Sequence, residues 1–192
     1  PLGKICRDHR VSRTTIRGFE TGIFFKLGAL DNTIDGNVID IASRGIAFQH
    51  IQSFWTPKGN RISRNSWYGG GEPISLEGIP GLGWQNEKVF EDAVPCAASG
   101  MSVDRALDFM GSGSIERAGN GIRLSGTTCP ETTVEVYGRT NGSIVYIGST
   151  KSGADGVVSG LVEGDAAIPD DLALVSIDKG NTTSRMKFIS IR

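Results

Sequence analysis

The strongest constraint in this 192-residue chain is a spacing that occurs twice: Asn-x-Ile-x-x-Asn, in NTIDGN from Asn32 and in NRISRN from Asn60. Shifting one copy by 28 residues lays Asn32 on Asn60, Ile34 on Ile62, Asn37 on Asn65, Ile46 on Ile74 and Phe48 on Leu76. A repeat of this length with short apolar-polar alternation marks a solenoid, in which each coil stacks on the last and equivalent side chains form columns. The isoleucines then make an inward apolar column. Asparagine suits the turns because it tolerates left-handed backbone geometry, and its amide donates and accepts along a ladder of equivalent amides. A looser and shorter copy comes earlier, carried by Ile16, Gly18, Phe19, Gly22, Ile23 and Phe25.

Composition agrees with strands. Glycine supplies 27 residues and aromatic residues only 7%, while helical periodicity is hard to find. Bursts such as NVIDI, GIAFQHI, TTVEVYG, SIVYIGS and LALVSID are bounded by Gly, Asn, Asp or Pro, as strands are. No apolar stretch reaches the length of a membrane span. A net charge of −1 argues against a general nucleic-acid binder, although Arg7, Arg10, Arg13 and Arg17 make the start basic. That run reads as a solvated or subunit-facing end. Pro1 in place of Met reads as a processed start or as a cut within a longer chain.

Two stretches resemble known families. NTIDGNVIDIASRGIAF and NRISRNSWYGGGEPISLEG resemble coils of the right-handed parallel β-helix, the pectate-lyase-like superfamily, in the form seen in secreted bacterial surface proteins. The segment from Gly119 resembles the small bacterial Ig-like β-sandwich that follows such helices: it has the strand Thr133 to Tyr137, the apolar-Gly-Ser strand Ile147 to Ser149, and the closing DKGNTTS from Asp178 to Ser184. The resemblance implies an all-β chain: about three β-helix coils in residues 1–78, an irregular connector over 79–119, and an Ig-like antiparallel sandwich over 120–192. Ile122, Val134, Val136, Val145, Ile147, Leu174 and Ile177 are the residues expected on the inner face of that sandwich. The resemblance carries no catalytic signature.

Candidate chemistry is sparse. Enzymes on β-helices need converging carboxylates beside an Arg or Lys that takes a proton next to a uronate carboxylate. Asp31, Asp35 and Asp40, with Lys26, Arg44, Arg61 and Arg64, are the candidates, but the register puts the carboxylates at outward or turn positions. His9 and His50 lack any nucleophile motif around them, and Cys6 with His9 has no second pair of ligands for zinc. No catalytic residue, metal or cofactor is expected. Trp55, Trp67, Tyr68 and Trp84 are candidates for an aromatic sugar platform, against the plainer reading that they cover a flank of the solenoid or the domain junction. Of the three cysteines, Cys96 and Cys129 are the expected disulfide, pinning the connector to the sandwich and stabilising by about 3–4 kcal/mol. Cys6 is then free or pairs outside this sequence.

Two functions from different classes follow as expectations. One is an extracellular or cell-surface structural or adhesive module, without catalysis. The other is a polysaccharide-binding or lyase-type β-helix protein. A short solenoid exposes the apolar cross-section of its first coil, and PLGKICRDHRVSR is too polar to form an apolar capping helix. A protein partner or self-association is therefore expected at that open coil, either in a longer β-helix or between subunits.

Overall fold

A computed structural model describes residues 6–25, 29–49, 59–77, 114–164, 168–181, 183 and 186–191. Its described elements are all strands. Three successive passes of the chain form tiers. Tier 1 holds β1 (Cys6–Arg7), β2 (Arg10–Ser12), β3 (Thr15–Arg17) and β4 (Thr21–Phe25). Tier 2 holds β5 (Ala29–Leu30), β6 (Thr33–Asp35), β7 (Val38–Asp40) and β8 (Arg44–Gln49), and tier 3 holds β9 (Arg61–Ser63), β10 (Ser66–Tyr68) and β11 (Glu72–Glu77).

Equivalent strands pair in parallel, tier on tier. Ile34 lies opposite Ile62, Ile46 opposite Ile74, and the Phe48 backbone opposite Leu76, as the 28-residue shift requires. Between tiers 1 and 2 the shift is 23, with Val11 on Ile34, Ile16 on Ile39 and Ile23 on Ile46. The five extra residues fall between Gln49 and Gly59, so the inward columns stay in register. Phe25 and Phe48 extend the stacking, their rings parallel at 4.9 Å. The first tier begins at Cys6, so the basic start is itself strand: in RVS and TIR, Val11 and Ile16 point in while Arg10 and Arg17 point out.

The C-terminal part is antiparallel. It comprises β12 (Ser114–Ala118), β13 (Gly121–Thr127), β14 (Thr133–Thr140), β15 (Ser143–Lys151), β16 (Val157–Glu163), β17 (Asp171–Ile177) and β18 (Lys187–Ser190). β12, β13 and β16 make a three-stranded sheet. β18, β17, β14 and β15 make another, and this one runs on into the tiers, because β15 pairs with β10 at Ile144 and Trp67. The antiparallel region is therefore joined to the tiers by a continuous sheet.

Two cores flank β14 and β17. One face of these strands packs Tyr137, Ala173, Val175 and Ile177 against the tier residues Ile34, Ile62, Trp67 and their neighbours. The other face packs Val134, Val136, Leu172 and Leu174 against Ile122, Leu124, Val158 and Val162 of the three-stranded sheet. That explains why LALVSI is an unbroken buried run. It also corrects the expected inner face: Ile177 belongs to the core shared with the tiers, and Val145 is 40% exposed. Alternation accounts for Ile177, which stands three residues from Leu174 and so faces the opposite core. Along β15, Ile144 and Tyr146 face the tier core while Ile147, the extra residue of a bulge opposite Val136 and Tyr137, packs in the other.

Candidate functional site

The corners between strands set what each tier displays. At two corners the chain takes one left-handed residue and then turns a side chain inward. The left-handed residues are Asp8, Asp31 and Gly59 at one corner, and Arg13, Gly36 and Arg64 at the other. The asparagines come next in sequence and do not themselves adopt that geometry, so their role is the amide alone. Asn65 Oδ1 accepts from the Asn37 backbone N–H and from Asn37 Nδ2, both at 2.9 Å, and Asn65 Nδ2 donates to the Ile34 carbonyl. Asn60 does the same for Asn32 and the Ala29 carbonyl. Asn32 and Asn37 repeat the pattern on tier 1, reaching the N–H groups of His9 and Thr14 and the carbonyls of Cys6 and Val11. Each amide thus satisfies a backbone donor that the turn takes out of the ladder, and its own N–H donates to a carbonyl of the neighbouring tier. His9 and Thr14 hold the equivalent positions in tier 1, where neither side chain can bridge in this way.

The candidate carboxylates do not converge. Asp31 meets Arg7 at 3.0 Å, Asp35 takes Arg64 in a two-pronged pair at 2.9 and 2.6 Å, and Asp40 lies 3.8 Å from Arg17. Arg44 approaches Glu20 at 3.7 Å, and Arg61 donates to Asn181. Each acid is held by an arginine of an adjacent tier, and Asp35 raises the Arg64 guanidinium further above its usual range. Among the described residues no group of three His, Cys, Asp or Glu side chains is placed to hold a metal. Lys26 and His50 lie outside the described residues.

The densest polar cluster sits where the antiparallel sheet closes tier 3. Glu135 is 2% exposed, and its carboxylate accepts from the Ser63 hydroxyl, the Arg64 N–H at 3.0 Å and the Tyr137 hydroxyl. Burial pushes the Tyr137 phenol well above its ordinary value, and the neighbouring Glu135 charge adds to the effect. Thr183 completes the closure: its Oγ1 accepts from the Ile62 N–H at 2.8 Å, and its own N–H donates to the Asn60 carbonyl. The chemistry here is satisfaction of tier-3 backbone groups by a cap. The sequence held one signal for it. In TVEVY, Glu135 shares a face with Tyr137, so burial of the tyrosine carries the glutamate inside with it.

Of the four candidates for a sugar platform, Trp67 and Tyr68 lie among the described residues. Trp67 is 3% exposed and packs on Tyr137 with ring centroids 5.5 Å apart, so its indole fills the junction instead of facing solvent. This corrects its assignment as a sugar contact and matches the junction reading. Tyr68 is half-buried on the outer side of β10, while Trp55 and Trp84 lie outside the described residues. Another aromatic is presented: Phe19, 62% exposed, at the rim of a shallow, open depression of about 540 Å³ shared with Glu20, Asp40, Ile41 and Gly69. Cys129 is buried and disulfide-bonded, and Cys6 is a free thiol whose partial burial raises its pKa. Cys96, the expected partner of Cys129, lies outside the described residues.

No known protein-family model matches the chain, and no curated protein matches it at a significant level.

Proposed function

We propose that this chain is a non-catalytic structural or adhesive module of an extracellular or cell-surface assembly. In this reading the tiers are three coils of a short right-handed parallel β-helix, and the antiparallel part is an Ig-like sandwich that serves as its C-terminal cap. The observation that carries it is the pairing of Asp31, Asp35 and Asp40 with arginines of neighbouring tiers. A lyase requires a free base beside bound uronate, whereas these acids are used to tie one tier to the next. A disulfide at Cys129 fits an oxidising compartment.

A second reading, polysaccharide binding without turnover, is favoured by Phe19 at the open depression beside Glu20 and Asp40. An exposed ring stacks on the apolar face of a sugar, and flanking carboxylates accept from its hydroxyls. A glycan array combined with a uronate lyase assay, with and without calcium, tests both. The structural reading expects flat responses in each. Turnover overturns it, and binding that Phe19→Ala abolishes moves the assignment to the second reading.

A further inference from the structure

The two ends of the tier stack differ. Tier 3 is closed, because β15 pairs with β10, Thr183 lies on β9, and Glu135 takes the Arg64 N–H. Tier 1 is open: among the described residues β2, β3 and β4 are each the end strand of their sheet, whereas in tier 3 β10 is paired onward and β9 and β11 end theirs. The inward columns record the difference. Ile34, Ile39 and Ile46 of tier 2 are fully buried, whereas their tier-1 equivalents Val11, Ile16 and Ile23 are only half-buried. Two of the large apolar side chains exposed on the molecule, Phe19 and Phe24, also belong to tier 1. Backbone edge and apolar columns therefore coincide on one face.

We propose that this face joins two copies of the chain head to head about a two-fold axis, giving a closed dimer. The inference rests on the structural-module reading above and supplies its partner. Head-to-tail stacking, which would build a filament, needs a free tier 3, and that end is capped. A further tier stacked in the same sense would look to tier 1 for the bridging amides that tiers 1 and 2 receive from Asn32, Asn37, Asn60 and Asn65. It would find His9 and Thr14. A second copy, turned over, makes no such demand, since its strands meet β2, β3 and β4 antiparallel and offer the same apolar columns in return. At about 3.3 Å per residue, the roughly 20 residues of a tier enclose roughly 350 Å², so two faces bury about 700 Å². That area lies below the usual range for stable interfaces, and the dimer is accordingly a weak, concentration-dependent one.

Sedimentation velocity of the 192-residue chain over about 1–300 μM tests the proposal. The expected result is a mass rising from one copy to two and stopping there. Ile16→Lys and Val11→Lys are expected to hold the single-copy mass with unchanged circular dichroism, while Leu161→Lys on the distant three-stranded sheet dimerises as the parent does. A single-copy mass throughout, growth beyond two copies, or dimers indifferent to both tier-1 variants overturns the proposal. Should the tier-1 variants fail to fold, amide exchange on the unmodified chain decides. Protection in β2 and β3 must rise with concentration, and its failure to do so overturns the dimer. Lyase turnover with the dimer intact would sink only the non-catalytic reading, whereas a monomer with flat lyase and glycan responses would sink only the dimer.

Discussion

Replacing Asn65 by alanine removes one rung of the amide ladder and gives the sharpest energetic test of it. Asn65 is fully buried and makes three hydrogen bonds: two accepted from Asn37 and one donated to Ile34. The variant strands the Asn37 N–H away from water, while the Ile34 carbonyl keeps the Ser63 N–H of the parallel ladder and Asn37 Nδ2 keeps its bond to the Val11 carbonyl. One buried backbone N–H left unpaired, at about 1–3 kcal/mol, together with a small cavity, gives a loss of about 2–4 kcal/mol. For a chain of this size that lowers Tm by about 4–16 °C. Asn65→Asp should fare no better, because a carboxylate cannot donate to Ile34. Thr14→Ala, the equivalent position in the open tier, should stay within about 0.5 kcal/mol. Thermal and urea unfolding of the three variants measure this. A loss below about 1 kcal/mol for Asn65→Ala, or an equal loss for Thr14→Ala, would refute the reasoning.

Further outcomes follow from the same geometry. Tyr137 has its folded-state pKa raised above the unfolded value near 10, so its contribution is fully present below pH 10 and is lost as pH rises above it. Stability should therefore fall by about 1.4 kcal/mol per pH unit more steeply in the parent than in Tyr137→Phe across that alkaline window. Gly45→Ala should destabilise by about 1–3 kcal/mol, because its Cβ would stand 2.5 Å from the Pro73 carbonyl oxygen and 2.6 Å from Trp67 Nε1; unchanged denaturation midpoints would count against the tier spacing. Asp35→Asn, which breaks a pair whose arginine is largely exposed, should cost under about 1 kcal/mol in the same assay. Cys129→Ser should lower stability by about 2–4 kcal/mol and abolish its sensitivity to reductant, with Cys6→Ser leaving both as they were.

The tier register was legible because a 28-residue shift matches inward residues of two strands at once: Ile34 on Ile62, and Ile46 on Ile74. The start of tier 1 was not, because its ladder positions hold His9 and Thr14 in place of Asn, and its shift is 23. The asparagines were read correctly as ladder residues but were wrongly credited with the left-handed turn, which belongs to Asp31, Gly36, Gly59 and Arg64. Ile177 was misplaced against the alternation itself, since it stands three residues from Leu174 and so faces the opposite core. Glu135 escaped notice for a related reason. A strand buried on both faces breaks the rule that the polar half of an alternation points to water, and only the partner groups on Ser63, Arg64 and Tyr137 make the burial tolerable. Trp67 shows the limit of composition-based site reading, since an indole at a junction and an indole on a sugar platform look alike until the covering strand is placed.

The central claim is that the stack of tiers is closed at one end by the antiparallel sheet and open at the other, and residue-resolved amide hydrogen exchange tests it most directly. The N–H groups of Ile62 and Arg64 point away from tier 2, and their described acceptors are Thr183, Glu135 and Tyr137 of the cap. In dilute solution these amides should exchange only with global unfolding, while alternate amides of β2 and β3 that face away from tier 2 exchange orders of magnitude faster. Fast exchange at Ile62 and Arg64, or equal protection of both ends in dilute solution, would contradict the account.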